Sequence, residues 1–372
     1  MARVLVLGSL AHSMVNFRGP LLREMVAQGH EVYACVPDAS AEIREALAGM
    51  GVIYRDVKLA RTGMNPVQDI GSLINMYKLF KDIKPDVYFG YFIKPVIYGS
   101  IAARMAGVPK IYCMIEGLGY AFSGADFKSR MIGMIAQNLY RFALRFSTKV
   151  FFLNPDDLDE FHQRRIIDKH QKGVLINGIG IDTESFVPVG YPKDLSFLLI
   201  ARLIRPKGVQ EYVDAARIIK EKYPDVKFRL VGGFDGGPTS HTEEELRGWV
   251  DAGIIEYLGL LSDVRPSIAD CSVFVLPSYY REGLPRTLME AMAMARPIIT
   301  TDNPGCRQTV QQGENGLLVP VRNVPALMEA MEYFIKKPEE IERMGQISRQ
   351  MAVDKFDVRQ INAEILRATE LS

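Results

Sequence analysis

The chain has 372 residues, more than one ordinary hydrophobic core organises, so two domains are expected. Its composition, 48% hydrophobic and 24% charged, is that of a globular protein. A net charge of +1, without a basic stripe interleaved with aromatics, argues against a nucleic-acid partner. The charge divides mildly, with 22 basic and 18 acidic side chains up to residue 190 and 23 and 26 after it.

The cysteines and the N-terminus predict where the protein resides. Four cysteines lie far apart with no metal-type pairing, which is typical of a reduced, cytoplasmic protein. No apolar run approaches the ~20 residues that a transmembrane helix needs. The opening "MARVLVLGSLAHS" has features of a short signal peptide. A buried first strand that ends in a glycine turn explains the same residues better.

The first half of the chain alternates short apolar runs with longer amphipathic ones. In chain order, the strand "RVLVLG" precedes the helix "NFRGPLLREMVAQGH", and "EVYACVP" precedes "EIREALAGMG". The strand "VIYRDV" precedes "IGSLINMYKLFKDIKPD", and "VYFGYF" precedes "VIYGSIAARMAGVPK". The strand "IYCMIEG" then precedes "KSRMIGMIAQNLYRFALRFSTK", and "VFFLN" follows. Repeated alternation of this kind predicts a parallel sheet covered on both faces.

The second half repeats the scheme after a Pro/Gly-rich linker at 187–194. Its strands are "LSFLLIARL", "VKFRLVGG", "IIEYLG", "CSVFVLPS" and "PIITTD", with helices between them and at about 323–370. We therefore expect an α/β protein of two doubly wound, Rossmann-like domains. The first comprises residues 1–188 together with the C-terminal helix at 356–372, and the second comprises residues 189–355. Ligands of such sheets bind at the carboxyl ends of the strands, so functional residues should follow strands.

Two glutamates flank a predicted helix start in "REGLPRTLMEAMA". A phosphate site at this helix N-terminus would be formed by the backbone from Leu284 to Thr287. Its N–H groups are those of Leu284, Arg286 and Thr287, because Pro285 has none. Carboxylates do not bind phosphate directly but accept hydrogen bonds from hydroxyls. Glu282 before the helix and Glu290 within it therefore suit the sugar and ribose hydroxyls of a nucleotide sugar. Taken alone, each glutamate is better explained by an ordinary structural position, Glu282 in an N-terminal turn and Glu290 on a solvent-facing side of the helix.

Two further loops follow strands of the second half. Arg202 and Lys207, in "IARLIRPKG", are two cations that can grip a diphosphate and neutralise it as it departs. Taken alone, they are also explained as ordinary loop charge. In "LVGGFDGG", Gly232 allows a ligand to approach the backbone closely.

The N-terminal half carries candidates of the same kind. Gly8 follows the first strand, without the full dinucleotide fingerprint, and His12 and Arg18 come shortly after it. Glu116 directly follows a strand in the Gly-rich "IEGLGYAF", which suits contact with a sugar hydroxyl or an acceptor. His12 alone is as well explained by a structural role.

Together these motifs resemble the retaining glycosyltransferases of family 4, which have the GT-B fold. The resemblance rests on the E-x7-E pattern of "EGLPRTLME", the Arg202/Lys207 pair, "NGIGIDTESFVP", "NGLLVP" and the glycine-bearing first loop. It covers almost the whole chain. "EGLGYAF" and "MVNFRGPLL" resemble the subgroup that acts on polyprenyl-diphosphate-linked sugars, to which bacterial undecaprenyl-diphosphate N-acetylgalactosaminyltransferases belong.

The resemblance implies roles for the matching positions. Arg202 and Lys207 would hold the donor diphosphate, Glu282 the donor sugar and Glu290 the ribose, with Gly8 completing the phosphate site. Many family members have His or Asp where this chain has Glu116, so no catalytic role is carried over to it. The resemblance further implies a UDP-sugar donor, a lipid-linked saccharide acceptor, retention of configuration, and no cofactor or metal. Two alternatives stay open: a UDP-sugar 2-epimerase of the same fold, and a catalytically idle protein that binds nucleotide sugar or serves as a partner subunit.

Two basic amphipathic helices raise the question of membrane contact. The helix near 127–147 carries Lys128, Arg130, Arg141 and Arg145 among apolar residues, and the helix near 70–84 carries three lysines. Helices of this kind can lie on anionic lipid, although a core-packed helix with a solvated basic face explains them as well. Together with the acceptor that the resemblance implies, they predict a cytoplasmic protein bound peripherally to the inner face of the cell membrane.

Overall fold

The computed structural model describes residues 1–59, 66–119, 122, 127–168 and 173–372, without the side chains of residues 66 and 127–129. The chain divides into two compact units. Unit 1 comprises Met1–Ile179 and Val358–Ser372, and unit 2 comprises Gly180–Asp357. The predicted join between residues 188 and 189 lies inside unit 2.

Unit 1 is built on a parallel sheet of seven strands in the order β3-β2-β1-β4-β5-β6-β7. The strands are β1 (Arg3–Leu7), β2 (Glu31–Val36), β3 (Ile53–Asp56), β4 (Val87–Tyr91), β5 (Lys110–Ile115), β6 (Lys149–Phe152) and β7 (Gly173–Leu175). The central strands are buried along their length because helices cover both faces, as their apolar sequences predict.

The helices of unit 1 connect these strands, and one returns from the end of the chain. They are α1 (Ala11–Asn16), α2 (Gly19–Ala27), α3 (Ala41–Gly49), α4 (Pro66–Ile83), α5 (Ser100–Ala106), α6 (Phe127–Leu144), α7 (Pro155–Gln163) and, from the C-terminus, α14 (Val358–Thr369). A π-helical turn, Pro95–Gly99, leads into α5. The last helix is held to the sheet by Tyr112 Oη, which donates to the carbonyl of Thr369 at 3.1 Å.

Three elements of unit 1 differ from the sequence prediction. The region predicted as one helix from Asn16 begins as two, because the chain breaks at Phe17–Arg18 and Pro20 opens a new helix in its first turn. Helix α7, which Asn154 caps by accepting from the Asp157 N–H at 2.8 Å, was not predicted, and neither was β7. Strand β7 has three residues, too few for an alternating pattern, and α7 has only Leu158 and Phe161 as large apolar side chains among polar ones.

Unit 2 has a six-stranded parallel sheet in the order β10-β9-β8-β11-β12-β13. Its strands are β8 (Ser196–Ile200), β9 (Lys227–Val231), β10 (Glu256–Tyr257), β11 (Val273–Leu276), β12 (Ile298–Thr301) and β13 (Gly316–Val319). Its helices are α8 (Val209–Lys222), α9 (Glu243–Asp251), α10 (Arg265–Ala269), α11 (Arg286–Ala293), α12 (Val324–Lys336) and α13 (Glu339–Phe356).

Both sheets reverse their strand order once, and the reversal positions the candidate sites. In unit 1 the first strand, β1, lies between β2 and β4, and in unit 2 the first strand, β8, lies between β9 and β11. The connections leave in opposite directions from the carboxyl ends at this point, which opens a crevice there. The switch points are therefore β1/β4 in unit 1 and β8/β11 in unit 2.

Candidate functional site

Unit 2 brings Lys207 and Glu282 together at its switch point. Lys207 ends a 3-10 turn after β8, and Glu282 lies in the loop after β11. Lys207 Nζ is paired with Glu282 Oε1, and the two side chains are only 13% and 12% exposed. Ser278 Oγ donates to the same carboxylate oxygen at 3.1 Å. A nearly buried cation is thus held in a fixed position, where it can meet a negatively charged ligand.

A second cation, Arg202, lies in the same segment after β8 as Lys207. Its Nη1 lies 3.1 Å from Asp235 Oδ1 in the loop after β9, and its guanidinium carbon lies 5.9 Å from the centre of the Tyr280 ring. Burial lowers the pKa of Arg202, but Asp235, with smaller effects of Tyr280 and Glu282, raises it by more, so the net shift is upward. Asp235 was not predicted as a site residue, although it lies in the same glycine-rich loop as Gly232.

The start of α11 has the form that an anion site requires. The helix begins at Arg286 after Pro285, and no side chain caps its N-terminal end. The first N–H groups of a helix have no partner within the helix, and the helix dipole adds partial positive charge there. Leu284 is buried just before this start, and Thr287 lies in its first turn. The amides of Arg286 and Thr287 are therefore suited to a phosphate oxygen.

Glu290 lies one turn further along α11 and is 7% exposed. Arg286 Nε donates to its Oε1 at 2.8 Å, so the side chain of Arg286 orients this carboxylate. Burial raises the pKa of Glu290, and the neighbouring Arg286 partly opposes the rise. Sequence analysis assigned only the backbone of Arg286 and missed this contact, although the i, i+4 spacing signals it.

Two glycines bring the loops of unit 2 together. Gly232 has φ +154°, and a Cβ there would lie 1.7 Å from the carbonyl oxygen of Ala201. Gly305, with φ +83°, packs against the loop after β11, where a Cβ would lie 2.8 Å from the carbonyl oxygen of Glu282. Asn303 Nδ2 donates to the Tyr280 carbonyl at 2.6 Å. The loop that carries Glu282 is thus fixed by the loop after β12.

In unit 1, Gly8 lies directly against Tyr91 at the β1/β4 switch point. A Cβ at Gly8 would lie 2.4 Å from Tyr91 Oη, so a larger residue there would have to displace the tyrosine ring. The Tyr91 hydroxyl also lies 2.9 Å from Ser13 Oγ, and burial raises the pKa of this tyrosine. The Cβ side of Gly8 therefore faces a tyrosine ring, and its role toward a ligand stays a prediction.

The structure joins two of the predicted contact residues of unit 1, Arg18 and Glu116. Arg18 is 1% exposed, its Nη2 is paired with Glu116 Oε1, and its guanidinium carbon lies 4.6 Å from the centre of the Tyr91 ring. Burial raises the pKa of Glu116, and Arg18 opposes the rise. Arg18 is therefore placed to orient Glu116, which is 12% exposed at the carboxyl end of β5.

His12 is separate from that pair. It is exposed in the first turn of α1, and its ring centre lies 6.5 Å from that of Phe17. Sequence analysis missed a buried network after β4, in which Asp69 accepts from Lys94 Nζ at 2.8 Å and from Tyr98 Oη at 2.9 Å. A lysine directly after a strand was the available signal, but its partner lies 25 residues earlier.

Thiol and metal chemistry have no visible site in the part of the chain that the structure describes. All four cysteines are buried, and burial raises the pKa of the Cys271 and Cys306 thiols to about 12.

No group of three or more His, Cys, Asp or Glu side chains in the described ranges is arranged to hold a metal ion. Over the same ranges, no helix combines the length and apolar character that crossing a bilayer requires.

Two family models match the chain, one in each unit. Residues 3–154 match the model described as glycosyl transferase 4-like, and residues 194–337 match the model described as glycosyl transferases group 1. The chain is also 30% identical to an alpha-D-kanosaminyltransferase of Streptomyces kanamyceticus over 276 residues, which is 70% of each chain. The protein belongs to the glycosyltransferases.

The names of two further relatives of this glycosyltransferase describe enzymes that act on lipid-linked sugars. It is 27% identical, over 89% of both chains, to the N,N'-diacetylbacillosaminyl-diphospho-undecaprenol alpha-1,3-N-acetylgalactosaminyltransferase of Campylobacter jejuni. It is 29% identical, over 71% of this chain and 70% of the other, to the UDP-Gal:alpha-D-GlcNAc-diphosphoundecaprenol alpha-1,3-galactosyltransferase of Escherichia coli.

Solved structures establish the fold class of the glycosyltransferase. Sucrose-phosphate synthase of Thermosynechococcus elongatus matches with a TM-score of 0.82 at 18% identity, over 100% of this chain and 98% of the other. HepE of Anabaena, in complex with UDP and glucose, matches with a TM-score of 0.80 at 17% identity over the full length of both chains. The prediction of a GT-B fold with two Rossmann-like domains is confirmed.

Proposed function

We propose that this glycosyltransferase moves a sugar, an N-acetylhexosamine such as GalNAc, from a UDP-sugar to a polyprenyl-diphosphate-linked saccharide, with retention of configuration and without a metal ion. The observation that carries the donor half is the pairing of Lys207 with Glu282 beside Arg202 at the switch point of unit 2. The names of the Campylobacter and Escherichia relatives support the acceptor class. They give no support to the 2-epimerase alternative.

In this proposal unit 2 holds the donor. Lys207 and Arg202 bind the diphosphate with the amides of Arg286 and Thr287, Glu282 contacts the sugar, and Glu290 accepts from the ribose hydroxyls. The charge of the departing UDP grows in the transition state, and fixed cations stabilise such charge best because they need no reorganisation. These two cations supply the positive charge that the leaving group requires, which is why we propose no metal.

The transfer step balances without a further reactant. The bond between the sugar C1 and the diphosphate oxygen breaks, and UDP leaves with the electron pair. The acceptor hydroxyl oxygen bonds to C1 from the same face, and its proton passes to the leaving diphosphate. The alpha-linked products in the relatives' names support retention, since UDP-hexosamine donors are themselves alpha-linked. Within unit 1, we assign Glu116 to an acceptor or sugar hydroxyl, with Arg18 holding it, and place His12 at the same edge of the sheet.

The acceptor of this proposal is anchored in a membrane, so the enzyme is expected at the cytoplasmic face of the membrane as a peripheral protein. The basic helix α6 supports this placement, because Arg130 and Arg141 are its charged residues with described side chains and it contains no acidic residue.

The first experiment measures thermal stability with UDP, GDP, ADP and a panel of UDP-sugars, for wild type and Glu290→Ala. A ligand that binds the folded state raises the melting temperature. We expect a rise with UDP compounds alone that the variant loses in part, while Glu329→Ala, a substitution on α12, retains it. No rise with any nucleotide would contradict the donor site and favour the alternative of a catalytically idle partner subunit.

The second experiment measures transfer. Each UDP-sugar is incubated with a short-chain polyprenyl-diphosphate saccharide and, separately, with the same saccharide free of lipid and phosphate. We expect product only with the diphosphate-linked acceptor, and an alpha linkage by NMR coupling constants. A beta linkage would refute retention, and equal activity on the free saccharide would refute the acceptor class. Activity that survives a chelator supports metal independence, and activity restored only by a divalent ion refutes it.

A further inference from the structure

A basic pocket lies in unit 1 at the edge of the sheet opposite Glu116. Its volume is about 680 Å³, and its lining includes Arg141, Arg145, His162, Arg165 and Asp168. These residues belong to the C-terminal ends of α6 and α7 and to the segment after α7. Helices that connect parallel strands run back toward the amino ends of the strands, so this pocket lies at the amino edge and is separate from the candidate acceptor site.

The lining of the pocket carries a surplus of positive charge in a built arrangement. Three arginines face one aspartate among the described lining residues. Arg141 is fixed as one wall, since its Nε donates to the Arg165 carbonyl at 3.0 Å and its Nη2 to the Arg164 carbonyl at 2.9 Å. Arg165 has a left-handed backbone, φ +53°, which is uncommon for a residue other than glycine. The contacts of Arg141 thus hold in place the strained turn that presents the Arg165 side chain.

An apolar stripe runs along α6 to this pocket. It consists of Met131, Met134, Ile135 and Phe142, which are 41–60% exposed. Counted from Met131, the other three follow after three, four and eleven residues, and this spacing places all four on one face of the helix. The opposite face of α6 is buried in the core of unit 1 through Ala136, Tyr140, Ala143 and Leu144. Arg145 lies one turn beyond Phe142, so the stripe and the pocket are continuous.

We infer that this pocket binds the phosphate of an anionic lipid headgroup through Arg145 and Arg165, with Arg141 as its wall, while the α6 stripe lies in the membrane interface. This inference rests on the membrane-anchored acceptor of the proposed function. A soluble phosphate ligand would need the arginines but would give no reason for four exposed large apolar side chains beside them. The arginine fork suits phosphate oxygens, and an amphipathic helix with cationic flanks suits an anionic bilayer surface.

The position of α6 relative to the sheet indicates what its contact with the membrane would contribute to the reaction. The helix has 18 residues and is therefore about 27 Å long. It begins near the carboxyl edge of the sheet, after the loop that follows Glu116, and ends at the pocket on the amino edge. A helix anchored along its length on the bilayer would hold the carboxyl edge of unit 1 close to the surface in which a polyprenyl acceptor is embedded.

The test is flotation with vesicles of phosphatidylcholine, alone or mixed with phosphatidylglycerol. The pocket variant is Arg145→Gln with Arg165→Asn, because asparagine tolerates the left-handed backbone. The control removes the same charge at two exposed arginines, Arg23→Gln with Arg367→Gln. These lie on α2 and α14, which contact each other and whose buried residues do not belong to the core that α6 joins. We expect the pocket variant to bind mixed vesicles about 30-fold more weakly and the control to bind like wild type.

Competition separates a phosphate site from diffuse attraction. Glycerol phosphate at constant ionic strength should displace wild type from mixed vesicles, whereas sodium chloride at the same ionic strength should not do so beyond ordinary screening. A Met134→Gln, Phe142→Gln variant should lose vesicle binding while it retains glycerol phosphate binding. Equal losses in the pocket and control variants, or no displacement by glycerol phosphate, would overturn the pocket. Glycerol phosphate binding without any vesicle binding would overturn the lipid assignment.

Failure of this inference is distinguishable from failure of the proposed function. Transfer to a water-soluble, short-chain acceptor in the absence of vesicles should be unchanged in the pocket variant. If wild type fails to transfer to that acceptor, the proposed function is wrong whatever the vesicles show. If wild type transfers but the vesicle results fail as described above, only the headgroup site is wrong.

Discussion

The pairing of Lys207 with Glu282 makes a prediction that separates stability from catalysis. Lys207→Met removes the cation and leaves the Glu282 carboxylate 12% exposed, with Ser278 Oγ as its donor in the same loop. Removing one partner of a buried pair costs about 3–5 kcal/mol, and the remaining exposure reduces this to about 2–4 kcal/mol here. For a protein with units of this size, that lowers the melting temperature by roughly 5–15 °C.

The double variant Lys207→Met, Glu282→Gln removes the negative charge of Glu282 as well. We expect it to recover about 1–3 kcal/mol of the lost stability, as residues in direct contact couple by that amount. Transfer should not recover, because a cation fixed beside the leaving diphosphate contributes about 10²–10³ in kcat, as for an oxyanion-hole donor. Melting temperature and UDP release, measured on the same preparations of the single and double variants, test both statements.

The results that would refute this reasoning are specific. If Lys207→Met is as stable as wild type, the ion pair is not the reason that Glu282 tolerates its burial. If the double variant regains transfer together with stability, Lys207 serves only to neutralise Glu282 and has no role toward the donor. Lys220→Met, an exchange of the same kind near the end of α8, serves as the control and should change neither quantity.

Three further predictions follow from the geometry. Gly232→Ala should prevent folding of unit 2 or reduce its melting temperature sharply, because the added Cβ would lie 1.7 Å from a backbone carbonyl oxygen. The control is Gly237→Ala, whose Cβ would lie 3.7 Å from its nearest neighbour, and it should leave the melting temperature measured by circular dichroism unchanged. Glu116→Gln leaves the Arg18 guanidinium buried without its counter-charge and should lower the free energy of unfolding, measured in urea, by about 3–5 kcal/mol. The double variant with Arg18→Met should recover most of this loss. Equal stability of wild type and Glu116→Gln would contradict the pairing. Glu245 has a pKa lowered to about 2, chiefly by a backbone N–H at the start of α9, so it stabilises the fold above its ordinary pKa of 4.5 and loses this contribution as the pH falls toward 2. Because the side chain is 31% exposed and solvent screens it, Glu245→Gln should be only about 1–2 kcal/mol less stable at neutral pH. This difference in stability should narrow between about pH 5 and pH 2, and a constant difference would contradict the linkage.

Much of the candidate site could be predicted because it depends on local pattern. Apolar runs and amphipathic repeats mark the strands and helices, and in parallel sheets functional residues follow strands. Arg202, Lys207 and Glu282 could therefore be placed at the carboxyl edge of the unit 2 sheet, and Gly8 at that of unit 1, without a structure. Their roles toward the substrates stay predictions until the variants above are measured.

Tertiary structure decided which of these residues meet. The partners Lys207 and Glu282 are 75 residues apart, and Arg18 and Glu116 are 98 apart, distances over which no sequence period operates. The strand order that makes β8 the neighbour of β11 brings the first pair together, and the neighbouring β1, β4 and β5 bring the second pair together. Burial, which raises the pKa of Glu116 and Glu290, also exists only in the folded chain. Sequence thus set the kinds of residue at the strand ends, and packing set their partners and their charge states, because long-range pairing and desolvation are properties of the assembled sheets.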